Sequence, residues 1–442
     1  MQTTLPYTGI DGDDISVFTS AHEYKKQLLT LIAGASQRIF ITALYLQDDN
    51  AGREVLAALY QAKRRAPSLE VKVFVDYHRA QRGLIGEKQQ LGNRASYNDI
   101  ASQQNSEIEI YGVAVKSKEL LGVLHLKGMI FDDILLYSGA SINDIYLQQQ
   151  GRYRLDRYYQ INSKTIADSF CHYLSNTFLS SGLAERINKD TKEPAARKFS
   201  NKRIKAIIKP EKYELAPWQK SKIFDHPIKI TPLVGYGKRR NGLNTSICQL
   251  IKSSEHSVLI LTPYFNLPQV VTKQLIAALK RGVKVTLIIG DKKANDFYIA
   301  DQEKFSTIGI IPYIYETILF RFVKRWQKFI TSQRLTIKLW CDSDNSYHLK
   351  GLVVDEKYHL LTGSNLNPRA WGLDLENGLL LEDNSAILQQ LLDKELIEVD
   401  KHTTRIAHYH DIEQLNDYPL KPKKLLKRLR LSKVDQLLKR LL

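Results

Sequence analysis

The nonapeptide HLKGMIFDD occupies His125 to Asp133, and HLKGLVVDE occupies His348 to Glu356, more than 200 residues further on. A histidine, a lysine and an aspartate kept at one spacing twice in a chain form a chemical pattern rather than a packing pattern. In a strand, alternate side chains share a face. His125 and Lys127 are therefore expected to point one way, as are His348 and Lys350. Gly128 and Gly351 follow the lysines, where the backbone can approach a ligand closely. Met129–Phe131 and Leu352–Val354 then supply apolar strand residues. Asp132 and Asp355 complete the pattern out of phase with the His-Lys pair, and so are expected to orient the strand or its turn. Each copy leads into small and amide residues, YSGASIND (Tyr137 to Asp144) and LTGSNLNPRAW (Leu361 to Trp371). Such segments let a backbone approach a phosphate and donate hydrogen bonds to it.

Outward from these motifs the repeat widens. SQRIFITALYL (Ser36 to Leu46) reads as a buried strand, GREVLAALYQAKRR as an amphipathic helix with Val55, Leu56, Leu59 and Ala62 on one face, and LEVKVFVD as a second strand. EHSVLILTPYF (Glu255 to Phe265), VVTKQLIAALKRG with Gly282 as its cap, and VKVTLIIG repeat that order. Alternating elements of this kind predict an α/β architecture of two pseudo-symmetric halves, each a largely parallel mixed sheet flanked by helices. The expected organisation is a first half over 1–187, a basic linker or excursion over 188–232, a second half over 233–420 and a basic amphipathic helix over 421–442.

Composition narrows the function classes. The chain has 442 residues, enough for two domains or one large pseudo-symmetric body, and a formal charge of +17. That charge favours anionic partners: nucleic acid, anionic lipid headgroups or a phosphorylated substrate. Three cysteines (Cys171, Cys248, Cys341) form no CxxC pair, which argues against a disulfide framework or a thiolate zinc site and suits a reducing cytosol. The N-terminus lacks a basic region followed by an apolar core, so no signal peptide is expected. No apolar run approaches the roughly 20 residues of a membrane span, so membrane contact is expected to be peripheral.

Two histidines and two lysines support one chemistry. A neutral imidazole can attack phosphorus and form a phospho-histidine. A second can protonate the leaving oxygen and then deprotonate the acceptor. Two lysines can neutralise charge on the non-bridging oxygens, a task often given to Mg²⁺, so no metal and no cofactor are expected. One copy lacks half of this apparatus, and a single site between both halves supplies all of it.

The paired HxKx4D motifs, His125-Lys127-Asp132 and His348-Lys350-Asp355, resemble those of the phospholipase D superfamily. The blocks LGVLHLKGMIFDDILLYSGASINDIYL, LTPYFNLP, GDKKANDFYI and TGSNLNPRAWGLDLEN are similar to its proteobacterial CDP-diacylglycerol–serine O-phosphatidyltransferases, from about Phe18 to the C-terminus. That resemblance implies transfer of a phosphatidyl group from CDP-diacylglycerol to L-serine, giving phosphatidylserine and CMP. It implies His125 as nucleophile and His348 as general acid/base, and a cytoplasmic enzyme on the inner face of the bacterial cytoplasmic membrane. Asn365 matches the superfamily's downstream asparagine; Ser141 stands at the corresponding place in the first half, with Asn143 two residues on, and Asn367 joins this phosphate-binding set. Glu376 in LDLEN matches the acid that family members hydrogen-bond to a motif histidine, and Asp156 in YRLDRYY is its weaker counterpart. Alternatives are another enzyme of the superfamily (cardiolipin synthase, phospholipase D or nuclease) and a non-catalytic basic protein that binds nucleic acid. Intact His-Lys pairs speak against the last.

Five further stretches draw notice. DYHRAQRG offers His78 as a phosphate contact or an ordinary polar loop, and the His408–His410 run HYH reads as surface. VGYGKRRNG (Val234 to Gly242) is a turn or a nucleotide or headgroup loop. The tail KPKKLLKRLRLSKVDQLLKRLL and the segment LFRFVKRWQKFI (Leu319 to Ile330) mix cations with apolar residues at near-helical spacing, as helices on an anionic membrane do, and the same charge attracts ribosomal RNA. No motif marks the serine-binding side chains or an oligomer contact.

Overall fold

The structure, a computed structural model, describes residues 5–82, 92–189, 200–208, 226–300, 302–432 and 438. In chain order the strands are β1 (Thr8–Ile10), β2 (Ile15–Phe18), β3 (Arg38–Ala43), β4 (Glu70–Asp76), β5 (Glu109–Val113), β6 (Gly128–Phe131), β7 (Ile134–Ser138), β8 (Arg154–Leu155), β9 (Tyr158–Asn162) and β10 (Ala184–Arg186). The second half contributes β11 (Ile228–Tyr236), β12 (Ser257–Thr262), β13 (Lys284–Gly290), β14 (Leu335–Trp340), β15 (Ser346–Tyr347), β16 (Gly351–Val354), β17 (Tyr358–Thr362), β18 (Leu375–Asp383) and β19 (Thr403–Arg405). Among the described residues one sheet has the order β10-β5-β4-β3-β6-β7-β9-β2 and the other β19-β14-β13-β12-β16-β17-β18-β11-β1. Position for position these are the same sheet, with β1 added at the edge of the second.

Helices Ala21–Gly34 and Asn50–Arg65 cover the outer face of the first sheet, and Gly242–Ser253, Gln269–Arg281 and Ile311–Thr331 that of the second. Their ends follow local chemistry. Ser20, Asp49 and Asn241 side chains accept from the backbone amides of Glu23, Gly52 and Asn244, and Gly282 closes its helix at φ +103°. The inner faces of the two sheets share one apolar core, in which Phe40, Ile130 and Tyr159 meet Ile230, Leu361 and Leu379.

Three expectations need correction. Within the two large sheets, parallel pairing among the described residues is confined to β3-β4-β5 and β12-β13-β14, so each sheet is mixed as expected but mainly antiparallel; β8 and β15 pair in parallel outside them. Each motif strand, β6 or β16, runs antiparallel to β3 or β12, and the turn after it, where Asp132 and Asp355 adopt φ +52° and +55°, folds β7 or β17 back against it as a hairpin. The stretch expected as linker contains part of the core. Helix Asn201–Ile208 buries Ile204 and Ile208, one helical turn apart, between the sheets, and each burial contributes roughly 1.5–3 kcal/mol. β11 begins at Ile228, inside the expected linker, and β1 crosses from the first half to pair with it. The remainder of that linker, 190–199 and 209–225, lies outside the described residues, as do 433–437 and 439–442 of the tail.

Candidate active site

Each motif enters the interface between the halves as an extended segment just ahead of its strand, and each is clamped by the other half. The backbone N–H of His125 donates to the carbonyl of Leu375 at 2.9 Å, and that of His348 to Leu155 at 2.8 Å. One residue beyond each clamp stands a carboxylate. Glu376 faces Nδ1 of His125 with both oxygens at 2.9 Å, and Asp156 lies 3.3 Å from Nδ1 of His348 and 2.8 Å from Nζ of Lys350. The carboxylate for each histidine thus comes from the opposite half. Asn377 completes the first clamp, accepting from the Lys127 amide at 2.8 Å and donating to its carbonyl at 2.7 Å. The glycines of the downstream loops make the crossing sterically feasible. A Cβ at Gly139 would lie 2.7 Å from Lys350 Nζ, and one at Gly363 would lie 2.4 Å from Lys127 Cγ.

Burial sets the electrostatics. Lys127 and Lys350 are each about 1% exposed, and both motif histidines are buried. Burial, reinforced by Lys127, pushes His125 well below the usual imidazole range; burial and Lys350 push His348 down to about 4. Burial and then Lys350 push Lys127 down to about 8. Burial drives Glu376 up to about 8 against the pull of the lysines. For Asp156 burial is outweighed by Lys350 and His348, and its carboxyl is held at about 2. Two neutral imidazoles beside two buried ammonium groups result. The carboxyl of Glu376 at Nδ1 suits a proton there and a lone pair on Nε2, the atom that would meet phosphorus.

The remaining residues expected at the site divide. Asp132 and Asp355 lie away from it, at the far ends of the motif strands. Asp132 accepts from the backbone amides of Ser36, Gln37 and Arg38, and Asp355 from those of Glu255, His256 and Ser257, which is the orienting role expected of them and removes these two members of the HxKx4D pattern from the catalytic candidates. The side-chain oxygens of Asn143 and Asn367 accept from the backbone amides of Tyr146 and Ala370, three residues on, so each of these two holds a turn. Ser141 is buried in the first of these loops, and Asn365 occupies the corresponding place in the second with a buried amide oxygen that has no hydrogen-bond partner among the described residues. His78 hydrogen-bonds the carbonyl of Lys116 at 2.8 Å, a polar-loop role, and His408 to His410 form a surface turn. Val234 to Gly242 borders an open groove of about 600 Å³ lined by Lys116, Lys205, Tyr236, Lys238, Arg239 and Arg240. Sequence reasoning missed Tyr146, whose hydroxyl lies 2.8 Å from Nδ1 of His348, and the Asn377 clamp. Both contacts span some 200 residues or more and carry no local signal.

Comparison with known proteins agrees with this geometry. The family model described as cardiolipin synthase, PLD-like domain, matches residues 28–172 and 247–396, one match per half. The chain is 42% identical to the CDP-diacylglycerol–serine O-phosphatidyltransferase of Escherichia coli (strain K12), over 99% of this chain and 96% of that one. It is 39% identical to the Haemophilus influenzae enzyme of the same name, over 99% and 97% of the two chains. The crystal structure of phosphatidylserine synthase from Haemophilus influenzae Rd KW20 superposes with a TM-score of 0.93, covering 99% of this chain and 98% of that one. Two matched halves, one shared site and full-length identity to two such enzymes place the chain in the phospholipase D-like family, as a member of its CDP-diacylglycerol–serine O-phosphatidyltransferase branch.

Proposed function

We propose that this protein transfers the phosphatidyl group of CDP-diacylglycerol to L-serine, forming phosphatidylserine and CMP. Its mechanism has two displacements at one phosphorus. Nε2 of His125 attacks the phosphorus that carries the diacylglycerol; the bond to CMP breaks, and the covalent phosphatidyl-histidine forms. The serine hydroxyl then attacks that phosphorus, His348 takes its proton, and the P–N bond breaks. Lys127 and Lys350 neutralise the charge that develops on the non-bridging oxygens. Asn365 and Ser141 hydrogen-bond the phosphate from the two loops.

The observation that carries this reading is the reciprocal pairing of each motif histidine with a carboxylate from the other half. The test is to incubate the pure protein with CDP-diacylglycerol in mixed micelles, with and without serine, and to identify the lipid and nucleotide products. Phosphatidylserine and CMP formed together, dependent on serine, are the expected products. Cardiolipin from added phosphatidylglycerol, or cleavage of single-stranded DNA, in place of phosphatidylserine would assign the chain to another activity of the superfamily.

Substrate access is by peripheral contact with an anionic membrane surface, on the inner face of the bacterial cytoplasmic membrane. Among the described residues no helix is long and apolar enough to cross a membrane. Helix Ile311–Thr331 turns Phe322, Val323, Phe329 and Ile330 into the body and exposes Arg321, Lys324, Arg325 and Lys328. Helix Leu420–Leu431 likewise buries Leu426 against Tyr313 and Tyr418 while exposing Lys421, Lys424, Lys427 and Arg428. These basic faces favour electrostatic attachment, worth roughly 1 kcal/mol per basic residue near an anionic leaflet. Ribosomal RNA is a competing partner for the same charge.

A further inference from the structure

Beside His348 lies a pair of opposite charges that the displacement chemistry does not use. Arg154, on β8 of the first half, places Nη2 2.8 Å from Oδ1 of Asp296, in the loop after β13 of the second. Both side chains keep a little exposure, 13% and 15%, so the pair is shielded but reachable. Aromatic groups tie it to the catalytic histidine. The Arg154 guanidinium stands 4.6 Å over the ring of Tyr146, whose hydroxyl reaches Nδ1 of His348. The hydroxyl of Tyr264 donates to Oδ2 of Asp296 at 2.8 Å, and the Tyr264 ring lies 6.1 Å from the imidazole of His348. Burial opposes the charge on Asp296, but Arg154 and His348 outweigh it and hold the carboxyl below its usual range. Nε of Arg154 is buried without a hydrogen-bond partner among the described residues, a donor that a ligand could engage.

The placement matters because of in-line displacement. If His125 attacks from one side, the leaving group departs and the acceptor arrives on the other, the side of His348. A guanidinium and a carboxylate next to that base complement an acceptor that carries its own carboxylate and ammonium. In serine both charged groups sit on one carbon, and the hydroxyl is one methylene away. Water has neither charge, and phosphatidylglycerol has no ammonium-carboxylate pair. We propose that Arg154 and Asp296 form the acceptor subsite, binding the carboxylate and the ammonium of a zwitterionic hydroxy-amino acid with its hydroxyl at His348. The proposal rests on the transferase reading above, which makes that acceptor L-serine.

Two measurements test it. In Asp296→Asn and Arg154→Gln, the KM for serine divided by the KM for CDP-diacylglycerol is expected to rise about tenfold or more, as for a lost charged hydrogen bond. A ratio unchanged from wild type, with kcat lowered for both substrates together, would make the pair a strut between the halves and overturn the proposal. The second measurement uses the unaltered enzyme and so does not depend on the variants folding. Serine methyl ester, N-acetylserine and ethanolamine, each lacking one charge, are offered as acceptors. Each is expected to require at least about tenfold more acceptor than serine for half-maximal transfer, and equal use of any of them would overturn the subsite. Exchange of labelled CMP into CDP-diacylglycerol without serine separates the two levels: absence of exchange in the wild type counts against the transferase mechanism itself, whatever the acceptor series shows.

Discussion

The two motif histidines are kept neutral by burial and by the lysines beside them, and that determines which step needs help. CMP leaves as a phosphate monoester whose second pKa is about 6, so its departure needs little protonation at neutral pH. A serine hydroxyl is a poor nucleophile until a base takes its proton. His348→Ala is therefore expected to cut transfer to serine by roughly 10²–10⁴ while CMP–CDP-diacylglycerol exchange falls less; His125→Ala is expected to abolish both. Equal loss of both activities in both variants would contradict the division of roles. The pH profile follows from the same environment. Below about 4 His348 gains a proton and loses its lone pair, and above about 8 Lys127 loses the charge that faces phosphate. With a short-chain CDP-diacylglycerol at saturation, kcat/KM for serine is expected to stay level from pH 5 to 7.5 and to fall on either side of those limits. An acid limb at 6.5 would mean a water-like imidazole. At Asp132, which caps three successive amides, replacement by alanine is expected to cost about 1–3 kcal/mol of stability, read as a lower melting temperature, with kcat retained below it. The His-Lys pairs were legible from spacing alone and Glu376 from its motif. The half each carboxylate serves was not legible, because a strand pattern fixes side-chain parity and not the partner across an interface.

The outer helices and central strands announced themselves through periodicity: Val55, Leu56 and Leu59 face the core as their spacing requires, and β4 and β13 lie within a residue of the β-branched runs that marked them. Two elements did not. β1 has three residues and no period to read, and it is ordered by backbone pairing with β11 in the other half. Helix Asn201–Ile208 hides two buried isoleucines among lysines and arginine, so its composition suggested a solvated excursion. The basic helices carry a prediction of their own. Most of their apolar residues are already packed, Leu426 against Tyr313 and Tyr418, and of those described only Leu420 and Leu431 at the ends of the last helix stay exposed, so membrane contact is expected to be mainly electrostatic. Vesicle co-sedimentation should therefore strengthen with phosphatidylglycerol and weaken as salt screens charges beyond about 8–10 Å. A chain cut before Lys421 is expected to bind less and to melt lower, since the cut uncovers that aromatic cluster. Equal binding of the full chain to neutral and anionic vesicles would contradict the electrostatic attachment.

At the scale of the molecule, two copies of one sheet face each other, and each motif histidine meets a carboxylate from the half that does not carry it. Each half holds its own motif strand but leaves the motif histidine to a carboxylate of the other half, which is why a nonapeptide written twice is expected to serve one reaction centre. Positive charge at that centre comes from Lys127 and Lys350, so activity toward a soluble short-chain substrate is expected to survive EDTA; loss on chelation with recovery on Mg²⁺ would place the charge elsewhere. The most direct test of the whole arrangement is to mix the protein with short-chain CDP-diacylglycerol in the absence of serine, quench in base, and map the adduct by mass spectrometry. The expected result is a phosphatidyl group on His125 with CMP released, and its discharge as phosphatidylserine when serine is added before the quench. An adduct on His348, or transfer to serine at full rate with no adduct on either histidine, would contradict it.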